Sequence, residues 1–194
     1  MREIVWILVS YLIGCFTAGY YWMRWRTGQD IRQVGSGSVG ARNVGRALGA
    51  SGFTATFLLD AAKGAVAVAG AGWLELSPAA VIASMVAVVM GHNWPLQLRF
   101  HGGKGIAATL GTLITYDPRI VLCLAAIFLP VVALLRNVTV SGLLALALGP
   151  VAVLLGGLGK AEVAATSCLA ILALVTHRKK IREQIARVAG HHET

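Results

Sequence analysis

From Ile4 to Met23 the chain carries no charged side chain, and Arg24 and Arg26 then close the run. About 20 such residues are what a helix needs to cross the hydrocarbon core of a bilayer. Further apolar runs cover roughly 52–76, 78–95, 106–116, 120–135, 138–158 and 161–176. Over the 194 residues this amounts to 57% hydrophobic and only 13% charged residues, with a mean hydropathy of +0.73. A soluble domain is nearer half apolar and a quarter charged. The pattern predicts an all-α polytopic membrane protein of about seven transmembrane helices, in a single domain over residues 1–194. The runs at 106–116 and 78–90 are short for a full crossing, so some helices are expected to be short or broken.

The charges give an orientation. Thirteen of the 17 Lys and Arg fall in the loop from Arg24 to Arg46, at Arg99 and Lys104, at Arg136, and in the tail from Arg178 to Arg187. Arg2, Arg119 and Lys160 fall on the other side, and Lys63 lies inside a helix. The positive-inside rule then predicts the N-terminus outside and the C-terminus cytoplasmic. Small residues (Thr17, Ala18, Gly19) stand late in the first run, as at the cleavage site of a secretory signal. The weak flank of Arg2 beside Glu3 and the strong positives after the run favour a retained helix. The net charge of +9 is explained by loops set against a membrane, and no nucleic-acid partner is called for. Cys15, Cys123 and Cys168 all sit in apolar runs without C-x-x-C spacing and read as packed thiols, not as redox or metal ligands.

Four polar clusters do not belong to such a background. The first, VGSGSVGARNVGR (34–46), places Gly35, Gly37 and Gly40 at G-x-G-x-x-G spacing, with Asp60 about twenty residues on. That spacing marks a dinucleotide loop only between a strand and a helix. Here the glycines follow a membrane helix, and Asp60 lies in another. Glycines alternating with Ser36, Ser38 and Asn43 instead allow a turn that aims backbone N–H groups at an anion, with Arg42 and Arg46 beside it. Hydroxyls, amides and guanidinium together suit a phosphate; a loop touching lipid headgroups is the plainer alternative.

The second cluster, GHNWPLQLRFHGGKG (91–105), repeats that logic with Gly102, Gly103, Lys104 and Gly105, and adds His92. It is not a Walker A loop, because no Ser or Thr follows Lys104. A lone His92 reads more readily as a loop-holding residue than as a catalyst. In the third, DAAKG (60–64), Asp60 and Lys63 stand one helical turn apart and can pair. A charge inside the bilayer costs roughly 2.5–3.5 kcal/mol on insertion scales, so such a pair marks either packing or a site. The fourth is His177 with Arg178, Lys179 and Lys180, which also suits a positive anchor. All four fall on or near one face of the membrane.

At these residues the chain resembles the bacterial acyl-phosphate:glycerol-3-phosphate acyltransferase family, PlsY. DIRQVGSGSVGARNVGRALG (30–49) resembles its first motif, DAAKG its D-x-x-K-G stretch, and GHNWPLQLRFHGGKGIAATLG (91–111) its G-H-x-x-P…G-G-K-G-x-A-T-x-x-G motif. The resemblance implies transfer of a fatty acyl group from acyl phosphate to the 1-position of glycerol 3-phosphate, giving lysophosphatidic acid and inorganic phosphate. It implies phosphate binding by Ser36, Arg46 and Lys104, and a site lined or shaped by Asn43, His92, Ser141 and His177. The implied setting is the bacterial inner membrane, with the site facing the cytoplasm. The chain departs from the family pattern at Ser38 (usually Asn), Arg42 (usually Thr), His101 (usually Lys), Lys180 (usually Asn) and Glu183 (usually Arg).

The residues suit that chemistry on their own terms. Acyl phosphate is already activated, so no covalent nucleophile is required, and no Ser-His-Asp or Cys-His constellation stands out. No cofactor or metal is called for. The expected mechanism is positioning and charge stabilisation by Arg46, Lys104 and loop amides including those near Gly37, Gly102 and Gly103. A substrate phosphate oxygen is the expected proton acceptor, and His177 or His92 is the competing base. Two other classes of protein share some of these features. A phosphate or organophosphate transporter would also use broken helices and midplane charge, but no internal repeat is apparent. A CDP-alcohol phosphotransferase needs clustered aspartates, and Asp30, Asp60 and Asp117 are far apart.

Overall fold

The first apolar run folds as two helices, α1 (Arg2–Cys15) and α2 (Ala18–Thr27), with Phe16 and Thr17 extended between them. The computed structural model describes residues 1–190, without the side chains of 184, 185 and 187–190, so the Arg187 charge counted above lies outside them. After α2 come α3 (Ala41–Trp73), α4 (Pro78–Asn93), α5 (Ile106–Tyr116), α6 (Pro118–Leu135), α7 (Val138–Leu155) and α8 (Lys160–Gly190). Short 3-10 turns at Ile31–Gln33 and Leu96–Leu98 lie in the two longest links. Among the described residues six stretches are long and apolar enough to cross a membrane, α1 and α2 counting as one, and α5 is too short to do so alone. The described residues contain no strand.

Polar caps fix where the later helices begin. Ser77 Oγ accepts from the Ala80 N–H ahead of Pro78, Asp117 accepts from Arg119 N at 2.9 Å, and Asn137 accepts from Thr139 N and Val140 N. Each cap satisfies N–H groups that a helix start leaves open. Proline at the first position of α4 and α6 costs nothing there, because that N–H has no intrahelical partner.

Helix α4 runs through the centre, packed against α1, α3, α5 and α8. At its crossing with α1, a Cβ on Gly91 would overlap the Tyr11 carbonyl, and one on Gly14 the Val88 carbonyl. Such small-residue contacts let membrane helices approach closely where water supplies no driving force. The core gathers Met85, Val88 and Val89 of α4 with Leu113, Ile120, Leu124, Leu146 and Leu169. By contrast, α6 turns Leu122, Leu129 and Leu134 outward, as a lipid-facing helix does.

Two local expectations are corrected. Asn43 and Arg46 are not loop residues, because α3 already starts at Ala41. The helix is then broken at Gly49, whose φ of 74° and ψ of −166° leave the helical region. The tail from Arg178 is not a loose end; it continues α8.

Candidate active site

The first glycine stretch winds around one buried side chain. Asn43, 1% exposed, donates from Nδ2 to the carbonyls of Val34 (2.8 Å), Ser38 (3.0 Å) and Ile31 (3.3 Å). Its Oδ1 accepts from Ser36 N and from Arg46 Nη2, both at 3.0 Å. Arg46 Nη2 also donates to Ser36 Oγ at 2.9 Å. Asn43 thus shapes the turn, and the turn presents Ser36 beside Arg46. Gly35 is required here, since its φ is +59° and an added Cβ would press on Asn43 Oδ1.

The expected cradle of loop amides is corrected. Ser36 N is taken by Asn43, Gly37 N donates to Val34 O, and Gly40 N donates to Ser38 Oγ. In the second loop Gly102 N and Gly103 N donate to the carbonyls of Asn93 and His92. These N–H groups hold the loops in shape and are not free to meet an anion.

Beneath the second loop lies a buried ionic network. Lys63 Nζ is 2.8 Å from Asp60 Oδ1 and 2.7 Å from His92 Nδ1, and all three side chains are at most 5% exposed. Lys63 also donates to Gly14 O (3.1 Å) and Phe16 O (2.9 Å), while Gln97 Nε2 donates to Cys15 O. Those carbonyls belong to the α1–α2 break, where the helical ladder stops. In lipid such groups must find partners within the protein. The His92 ring lies directly under Gly103, where any Cβ would collide with it. His92 is therefore placed to support the loop that carries Lys104, not to reach a substrate.

A fork joins the two loops. Asp30 receives Arg32 Nε at 3.0 Å and Nη2 at 2.6 Å, and Arg32 Nη1 reaches across to Leu98 O at 3.1 Å. The Arg32 hydrogen bonds hold the Asp30 carboxyl below its ordinary range, against partial burial, which acts the other way.

The remaining residues approach from α7 and α8. His177, 3% exposed, has Nδ1 at 2.8 Å from the Ala173 carbonyl, an arrangement that makes Nδ1 the donor and leaves Nε2 as the acceptor. The Lys104 charge bears on both His177 and Lys180. Arg42 Nη1 and Lys180 Nζ both donate to Thr139 Oγ1, the latter at 3.3 Å. Ser141 is fully buried, and its hydroxyl donates to Asn137 O within its own helix. Ser36, Arg46, Lys104 and His177 thus gather at one end of the bundle, Asn43 and His92 support them, and Ser141 is turned to its own backbone. Arg42, Gly45, Arg46, Gly49, Ala50 and Phe53 line an open groove of ≈ 390 Å³. Thr139, Arg32 and Gln97 are additions to the expected set, and each acts through a partner distant in sequence.

The chain has counterparts over nearly its whole length. The profile of the family described as Glycerol-3-phosphate acyltransferase matches residues 4–187. Glycerol-3-phosphate acyltransferase 1 of Desulfitobacterium hafniense (strain Y51) is 42% identical over 186 residues, 95% of this chain and 92% of the relative. Glycerol-3-phosphate acyltransferase of Desulforudis audaxviator (strain MP104C) is 40% identical over 178 residues, 89% of this chain and 87% of the relative. Among solved structures, PlsY, an integral membrane glycerol 3-phosphate acyltransferase, superposes in its glycerol 3-phosphate form with a TM-score of 0.86 at 28% identity. Its lysophosphatidic acid form gives 0.84, and in both cases 96% of this chain and 93% of the other are covered. With a matching profile across almost its whole length and the same helical frame, the chain belongs to the glycerol-3-phosphate acyltransferase family.

Proposed function

We propose that this multi-pass membrane protein transfers a fatty acyl group from acyl phosphate to the 1-hydroxyl of glycerol 3-phosphate in the bacterial cytoplasmic membrane, with its site open to the cytoplasm. The observation that carries the assignment of residues is the Ser36–Arg46 contact, held by Asn43, at the same end of the bundle as Lys104 and His177. Both substrates are anionic, and this end supplies cations and hydroxyls with few acids. The acceptor hydroxyl oxygen bonds to the acyl carbonyl carbon, and the bond from that carbon to the phosphate oxygen breaks. The bonding pair leaves with phosphate, and the hydroxyl proton passes to a phosphate oxygen.

Arg46, Ser36 and Lys104 bind phosphate and offset the charge that develops as the leaving group departs. His177, with Nδ1 held by the Ala173 carbonyl and Nε2 left as an acceptor, orients the acceptor hydroxyl. His92 acts through Gly103 as a positioning residue, and Asp60 with Lys63 holds the helix break. The test is purified protein given acyl phosphate and glycerol 3-phosphate, with lysophosphatidate and phosphate followed together. Equal amounts of both products are expected. Phosphate release with no lysophosphatidate, or uptake of glycerol 3-phosphate into liposomes without any turnover, would refute the reading.

A further inference from the structure

The end of α2 carries aromatic and cationic side chains that acyl transfer leaves unused. Helix α2 turns Ala18, Gly19 and Met23 inward, while Tyr21, Arg24, Trp25 and Arg26 stay exposed, Trp25 at 72%. The stretch Arg2–Thr27 is 26 residues long. As helix that is about 39 Å, against about 30 Å of hydrocarbon. With Arg2 and Glu3 at one surface, the last turn of α2 therefore stands among headgroups, the level that tryptophan and tyrosine favour. Arg26 lies over the Trp25 ring, 5.9 Å from its centroid, and Arg24 Nη1 donates to Gly28 O at 2.8 Å. Among the described residues neither arginine has a carboxylate within ion-pair distance. Asp30 feels the Arg24 charge, but it pairs with Arg32.

Beside Arg24 lies a hollow of ≈ 730 Å³, lined by Arg24 and Tyr20 of α2 and by Gln29, Asp30 and Gln33 of the turn that follows. Gly28, at φ 71°, ends α2 and turns the chain back to form it. Ser36, Arg46, Lys104 and His177 do not line this hollow, which separates it from the proposed acyl-transfer site. Its chemistry selects a guest. The Arg24 guanidinium suits a phosphate, and the amides of Gln29 and Gln33 can both donate to hydroxyls and accept from them. The Asp30 carboxylate opposes a second carboxylate. An aromatic strip leads away from the hollow along α2. Tyr20 meets Tyr21 edge-on at 5.3 Å, and Tyr21 stacks at 5.3 Å on Phe16, which is 51% exposed. A phosphate with hydroxyls on one side and an apolar chain on the other fits all of these features.

We propose that Arg24, Gln29 and Gln33 bind the headgroup of an anionic phospholipid with a hydroxylated head, phosphatidylglycerol, whose chain lies along Tyr21 and Phe16. Such a site holds lipid whether or not the protein transfers acyl groups, so binding is measured apart from turnover. Delipidated protein in detergent is titrated with phosphatidylglycerol, phosphatidylserine or phosphatidylcholine of identical chains, and retained lipid is read by native mass spectrometry. Phosphatidylglycerol should be retained at about fivefold lower concentration than phosphatidylcholine, the worth of one arginine near a lipid surface. Phosphatidylserine should be retained less well than phosphatidylglycerol, because its carboxylate meets Asp30. R24Q should abolish the preference over phosphatidylcholine while keeping wild-type turnover in lipid-free detergent, which shows that it is folded. Excess glycerol 3-phosphate should not displace the lipid. Equal retention of all three lipids by the wild type, or an unchanged preference in R24Q, would reduce this end of α2 to an unselective membrane anchor and overturn the proposal. Retention of phosphatidylserine equal to that of phosphatidylglycerol would leave charge alone as the cause. Displacement by glycerol 3-phosphate would make the hollow a site for soluble phosphates and equally overturn it. Should R24Q fail to insert, Gln29→Leu with Gln33→Leu, both outside α2, should remove the preference for phosphatidylglycerol over phosphatidylserine, and its persistence there would refute the site.

Discussion

At the scale of single residues, the proposed phosphate grip makes a quantitative demand. Hydrogen bonds to charged groups contribute about 1.5–3 kcal/mol each. Arg46→Ala and Lys104→Ala should therefore lower kcat/KM by about one to two orders of magnitude, since 1.4 kcal/mol is tenfold. Stable, correctly inserted variants that both keep wild-type turnover at low substrate would make these residues headgroup anchors. The proton route gives a second test. With the substrate phosphate as acceptor, the acid limb of the kcat/KM profile should persist in His177→Asn, whatever the loss in amplitude. Disappearance of that limb would make His177 the base. The residue types at this site were legible in the sequence because charge and glycine are rare against an apolar background. Their roles were less so. Asn43 and the amides of Ser36, Gly37, Gly102 and Gly103 looked available for a ligand, yet each is hydrogen-bonded within the protein. Which donors remain free depends on long-range pairing that no local spacing encodes.

At the scale of elements, the uncharged run from Ile4 to Met23 gave no sign of the break at Phe16 and Thr17. Neither proline nor glycine stands at those two positions. The cause lies far along the chain, where Lys63 and Gln97 supply partners for the carbonyls of Gly14, Cys15 and Phe16. Lys63→Met should leave Asp60 buried without its counter-ion and two carbonyls unbonded, at a cost of about 3–5 kcal/mol. The double variant Asp60→Leu with Lys63→Met should melt higher than Lys63→Met alone, because no isolated charge remains. Equal melting of the two would mean the carbonyls, not the carboxylate, dominate. The Asp30–Arg32 fork is the other element-level device, tying the two loops through Leu98. Because the folded carboxyl titrates below its unfolded value of about 3.9, the fork is intact above that pH and lost only as pH falls through the lower folded value. Asp30→Asn should thus raise substrate KM at pH 7, and by the same factor at pH 6 and pH 8. A factor that changes across that window would implicate another group.

At the scale of the whole molecule, the proposed site exists because the up-and-down path of the chain brings alternate helix ends to one side. The links after α2, α4 and α6 and the polar part of α8 share that end, and thirteen of the 17 Lys and Arg were assigned to it from sequence. That asymmetry is the basis for a cytoplasmic site and an N-terminus outside. The short links between α3 and α4, and between α7 and α8, lie at the opposite end, with Ser77 in the first and Lys160 opening α8 after the second. Single thiols report the difference once Cys15, Cys123 and Cys168 are replaced. These cysteines are dispersed in α1, α6 and α8, and direct transfer gives none of them a covalent role. The triple replacement should therefore keep substantial turnover, and donor alone should leave no mass-shifted protein. In that background, thiols at Ser38 and Gly102 should react with an impermeant reagent only when the cytoplasmic face is open, and thiols at Ser77 and Lys160 only from the periplasm. Glycerol 3-phosphate should slow labelling at Ser38 and Gly102 without affecting the other two, because only that end is proposed to hold phosphate. Periplasmic labelling of Gly102 would invert the topology and remove the cytoplasmic substrate from reach of Lys104. Labelling there from the cytoplasm that substrate does not slow would keep the topology and move the binding site elsewhere.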